Sequence, residues 1–96
     1  MVEVEKQIEI AEELSQDLLA ELVNQYQLIV YNDDINTFDH VITCLVNYCK
    51  HEPIQAEQCA LIIHTTGKCS VKVGAFDKLK PIAEVLLDKG LSAKVE

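Results

Sequence analysis

The sequence predicts a small α+β domain of order β-α-α-β-α-β, with a three-stranded antiparallel sheet and three helices packed against it. Three observations carry that expectation. Three short runs are rich in β-branched residues or alternate apolar with polar ones. Three longer runs repeat apolar residues every three to four positions. Asn, Asp, Pro and Gly punctuate the junctions between them. Strands interspersed with helices, without a Gly-rich phosphate loop, suit one sheet covered on one face. The 96 residues suit a single domain, and an apolar share of 49% suffices for a small core.

Residues 1–24 stand apart in composition, with seven acids and one lysine. Ile8, Ala11, Leu14, Leu18 and Leu22 form a helical stripe there, but no clear N-cap precedes it. This stretch is expected to be an acidic N-terminal extension, mobile or partly helical, ahead of a core domain over 25–96. The core opens with "YQLIVY", residues 26–31, whose β-branched and aromatic content reads as a strand. "NDD" ends that strand, because Asn and Asp favour turns by bonding nearby backbone. A helix is expected from about Thr37 to Lys50, with Asn36 as N-cap and Asp39 three residues on. Phe38, Val41, Ile42, Leu45 and Tyr48 supply its apolar stripe.

"KHEP" breaks the chain, and Pro53 suits the first turn of a second helix, running to Ile63 or His64. Ala56, Cys59, Ala60 and Ile63 give it an apolar face, and Gly67 offers the positive φ that ends helices. "KCSVKVGAF" alternates Cys69, Val71 and Val73 against Lys68, Ser70 and Lys72, as a half-buried strand does. Asp77 is the expected cap of a third helix, with Pro81 in its first turn and Gly90 as its stop. Its stripe is Leu79, Ile82, Ala83, Leu86 and Leu87, and "LSAKVE" closes as a short alternating strand. The same element order occurs in the C-terminal domain of the ribosomal stalk protein, an interaction module.

Charge excludes several function classes. Sixteen acidic residues against eight lysines and no arginine give a formal charge of −8. Nucleic-acid binding needs clustered Lys and Arg, and an anionic membrane surface attracts the same groups. No apolar run approaches the roughly 20 residues of a membrane span, and "MVEVEKQIEI" has no signal-peptide character. The expectation is a cytoplasmic protein. Cys44, Cys49, Cys59 and Cys69 follow apolar positions without C-x-x-C spacing, so buried free thiols are expected rather than disulfides or zinc. Nucleophilic catalysis has little support, since a thiolate is disfavoured at such positions. No metal and no cofactor are expected.

Two polar features stand out. "NDD" (Asn32, Asp33 and Asp34) could hold Mg²⁺ or Ca²⁺ through hard oxygen ligands, form a plain solvated turn, or seat a cation. His64 ends the apolar stretch "CALIIHTTG", where a helix dipole favours imidazolium, yet a neutral ring nitrogen accepts a hydrogen bond from an ammonium group. Local composition leaves these readings open.

Taken together, "YNDDINTF", a helix, a Pro-bearing turn, a second helix ending "LIIHTTGK", then strand, helix and strand resemble the ClpS family, adaptors of Clp AAA+ proteases. Asn32, Asp33 and Asp34 match the family's N-D-D block. His64, Gly67 and Lys68 match its H-x-x-G-K block at a separation that fits without a gap, and the likeness covers roughly residues 26–96. The resemblance implies a non-enzymatic adaptor that binds N-degrons, proteins with a free α-amino group on a first residue Leu, Phe, Tyr or Trp. It implies delivery of these substrates to a Clp AAA+ unfoldase of ClpA or ClpC type. Asn32, Asp33 and His64 are implied to meet the ammonium, with Asp34 shaping the turn. Ile35, Asn36, Phe38, Val41, Ala60, Ile63 and Leu91 are implied to line the side-chain pocket. Asn36 stands where the family usually has Thr, and Phe38 and Ala60 stand where it commonly has Met. The alternative is a module of the same fold that binds a different partner without N-degron specificity.

Overall fold

In the computed structural model, residues 25–96 are described; the expected acidic extension over 1–24 lies outside the described residues. The elements are β1 (Tyr26–Tyr31), α1 (Phe38–Tyr48), α2 (Pro53–Thr66), β2 (Lys68–Gly74), α3 (Phe76–Asp88) and β3 (Ser92–Val95). This is the α+β order expected. The sheet order is β2-β1-β3, with both pairings antiparallel. The first of these strands is therefore the middle one. Its Leu28 and Val30 join Leu45 of α1, Ile63 of α2, and Leu79 and Leu86 of α3 in one core. Among the described residues no helix is long and apolar enough to cross a membrane.

Helix ends depart from expectation in instructive ways. Thr37, not Asn36, caps α1, and its hydroxyl accepts from the His40 N–H at 3.1 Å. Both residue types can cap a helix; the Asn36 side chain is engaged elsewhere in the loop. Helix α2 runs past His64 to Thr66, and the Thr65 and Thr66 hydroxyls donate back to the Leu61 and Ile62 carbonyls. Ala75, not Asp77, sits at the N-cap of α3 and offers no side-chain bond. Asp77 lies in the first turn, where its charge faces the positive end of the helix dipole. Pro81 lies inside the helix rather than in its first turn.

Strand β2 also breaks its expected alternation. The β1–β2 register shifts between Leu28 and Ile29, whose partners are Lys72 and Ser70, so Val71 is the extra residue of a bulge. A bulge reverses the faces beyond it. Val71 stays buried, whereas Val73, expected inside, is 56% exposed. His51, in the α1–α2 link, is buried and its Nε2 donates to the Val71 carbonyl at 2.6 Å, pinning the link to the bulge. All four cysteines are free thiols: Cys44 and Cys49 are buried, Cys59 and Cys69 half-buried. Burial pushes the Cys49 thiol up to about 11; burial, with Cys69 close by, does the same for Cys59.

Gly67 closes α2 at φ +99, with its N–H on the Ile63 carbonyl at 3.0 Å. A Cβ there would meet nothing within 4 Å, so the cost of a side chain is backbone strain alone. Gly67→Ala is expected to lower stability by about 1–2 kcal/mol in denaturant unfolding. Wild-type stability in the variant would show that this turn does not need the left-handed conformation.

Candidate functional site

The loop 32–37 leaves the middle strand between the ends of two helices. The Asn32 N–H donates to the Gly67 carbonyl at 2.8 Å, which sets Asn32 beside the last turn of α2. The next residue organises the loop. Asp33 Oδ1 accepts from the Ile35 N–H at 3.0 Å and the Asn36 N–H at 2.8 Å. Asp33 Oδ2 accepts from Asn36 Nδ2 at 2.7 Å and Ser92 Oγ at 3.5 Å. A carboxylate offers about four lone-pair sites, and three of them are filled from within the loop at 3.0 Å or less. These donors, the Asn36 backbone N–H foremost, hold the Asp33 carboxyl below its ordinary value of 3.8. Asp34 is exposed and takes part in none of these bonds.

Beside the loop lies an open cavity of about 510 Å³. Two helix faces make its apolar wall. Phe38 and Val41 are three apart on α1; Ala60, Ile63 and His64 follow at i, i+3 and i+4 on α2, so each set shares one face. Phe38 is 44% exposed, whereas Ala60 is 2% exposed. Asn32, Asp33, Asp34, Asn36 and His64 supply the polar part of the lining. An apolar wall thus meets a carboxylate, an amide and an imidazole. That combination can take a cationic group and an apolar side chain attached to it. Among the described residues no three His, Cys, Asp or Glu side chains converge to hold a metal ion.

Residues 21–94 match the protein family described as ATP-dependent Clp protease adaptor protein ClpS. The chain is also 37% identical, over 68 residues, to the ATP-dependent Clp protease adapter protein ClpS of Thermosynechococcus vestitus. That alignment covers 70% of this chain and 72% of the relative. The chain belongs to the ClpS family. The fold is similar to that of ClpS2 from Agrobacterium tumefaciens, solved bound to L-phenylalaninamide, with a TM-score of 0.69 at 18% identity. The match spans 76% of this chain and 98% of that one.

Within this ClpS fold most residues singled out in the sequence meet at one cavity, but two do not. Ile35 is 89% exposed: the turn closed by Asp33 carries it outward, away from the cavity wall. Leu91 is 3% exposed and lines a separate void of about 20 Å³ behind the loop. Sequence reasoning missed three residues that hold the loop. His40 donates through Nε2 to the Lys89 carbonyl at 2.8 Å, Gly90 accepts from Asn36 Nδ2 at 2.7 Å, and Ser92 reaches Asp33. Only Gly90 carried a local signal, as a helix stop.

The lowered carboxyl of Asp33 has a consequence for stability. A carboxylate whose folded pKa lies below its unfolded value stabilises the fold at pH above the unfolded value. That contribution is lost as pH falls from about 4 through the folded value. Asp33→Asn should remove this part of the acid sensitivity. Unfolding midpoints measured from pH 6 to pH 2 should fall less steeply in the variant; parallel curves would mean that Asp33 is not the group responsible.

Proposed function

We propose that this chain is a non-enzymatic adaptor for N-degron substrates. It takes proteins with a free α-amino group and a first residue Leu, Phe, Tyr or Trp and delivers them to a Clp AAA+ unfoldase of ClpA or ClpC type in the cytoplasm. The observation that carries this reading is the cavity itself, where an apolar wall and an acidic, imidazole-bearing edge lie side by side. An N-terminal residue has the same two parts: an ammonium group and a side chain, both borne by one Cα. L-phenylalaninamide, the molecule bound to the Agrobacterium ClpS2, also joins a free amino group to a benzyl side chain. Family membership supports the Clp protease as the destination.

The chemistry gives selectivity. Ammonium donors on a carboxylate and a neutral imidazole nitrogen make charge-assisted bonds, stronger than neutral ones. An acetylated or internal residue presents no such charge and leaves the acceptors unpaired, at a cost of about 1–3 kcal/mol. A polar first side chain loses its water against Phe38, Val41, Ala60 and Ile63 without gaining partners. The core's modest charge and scarcity of basic clusters fit a peptide ligand rather than nucleic acid or membrane.

A titration of short peptides differing only at the first residue tests this. Leu-, Phe-, Tyr- and Trp-initiated peptides should bind and their N-acetylated forms should not. His64→Ala should weaken the binding of free-amine peptides by about 1–3 kcal/mol. Equal affinity for acetylated peptides would sink the reading and favour a ClpS-fold module with another partner.

Ala60 leaves room where a longer side chain would fill the wall. Ala60→Met is expected to reduce affinity most for Trp- and Phe-initiated peptides and least for Leu. Equal losses across these peptides would place Ala60 outside the region that receives the first side chain.

A further inference from the structure

Two side chains tie the loop to a distant turn. Asn36 Nδ2 donates both to Asp33 Oδ2 and to the Gly90 carbonyl, each at 2.7 Å. One turn into α1, His40 Nε2 donates to the Lys89 carbonyl at 2.8 Å. Lys89 and Gly90 form the turn between α3 and β3, and Ser92, just beyond it, reaches the same Asp33 oxygen as Asn36. The turn is itself fixed: Gly90 adopts φ +90, and a Cβ there would approach Asn36 Oδ1 to 3.6 Å. The Leu91 N–H returns to the Leu86 carbonyl, closing the end of α3.

We infer that Asn36 is a positioning residue for the α-amino seat: it locks the Asp33 carboxylate into the loop and braces that loop on the Lys89–Gly90 turn. This rests on the N-degron reading. Asp33 is held by two backbone N–H groups and the Asn36 amide, all within 3.0 Å, with the Ser92 hydroxyl farther off at 3.5 Å. Asp34 lines the same cavity, is exposed, and is engaged by none of those donors. His40 strengthens the brace from the helix side. Asn36 is suited to this by having two amide hydrogens, one for each of its acceptors. A single hydroxyl at that position could serve only one of them.

The test has two arms, and the first needs no peptide. Asn36→Ala removes one donor from Asp33, so the Asp33 carboxyl, followed by carbon-detected NMR, should titrate at higher pH than in the wild type. An unchanged titration overturns the lock. The second arm measures the affinity of a Leu-initiated peptide and of its acetylated form. Asn36→Ala, the isosteric but donor-free Asn36→Asp, and Gly90→Ala should each weaken the free-amine peptide by about tenfold or more. Val46→Ala, half-buried on α1 and outside the cavity, controls for lost stability and should bind as the wild type does. Wild-type affinity in the Asn36 and Gly90 variants overturns the proposal. Failure of the N-degron reading looks different: the wild type itself would then not distinguish the acetylated peptide.

Discussion

The middle position of β1 is the constraint on which the site depends. A strand paired on both sides cannot drift, and β1 is antiparallel to β2 on one edge and β3 on the other. Its end at Tyr31 is therefore delivered to a fixed point, between the close of α2 at Gly67 and the close of α3 at Gly90. Both glycines have positive φ and turn the chain sharply into the strands beside β1. The loop that follows β1 inherits a partner on each side: Gly67 for the Asn32 N–H and Gly90 for the Asn36 amide. A short polar loop gains its geometry from the sheet and two helix ends, not from packing of its own.

Charge in that loop is divided between two neighbouring residues with opposite surroundings. Asp33 is enclosed by donors, which stabilise its ionised form. Asp34 faces water at the cavity. Preorganisation of this kind lowers the cost of binding, because the loop is ordered before a ligand arrives. The apolar half is equally built in, since Ala60 and Ile63 belong to the buried face of α2, which packs on the sheet, and Phe38 projects from the opening turn of α1. One helix face thus serves the core with most of its length and the cavity with its end.

The sequence by itself determined the order of elements and singled out most of the residues that line the cavity. Alternation and three-to-four spacing are local properties, and Pro53, Gly67 and Gly90 act on the backbone within a residue or two, so the elements could be read in order. The N-D-D block and the His64 block were visible as patterns, and the structure brings them to one cavity. What only the tertiary structure decided depends on partners far away in the chain. Asn36 and Thr37 are both good caps, and Asn36 was drawn from the helix by Gly90, 54 residues on. Val73 turned outward because a bulge at Val71, set by pairing with β1, reversed the alternation. Asp33 and Asp34 are the same residue type side by side; only the folded loop separates a carboxylate wrapped in hydrogen bonds from one left to solvent, because side-chain donors such as Ser92 are placed by the sheet, not by the local sequence.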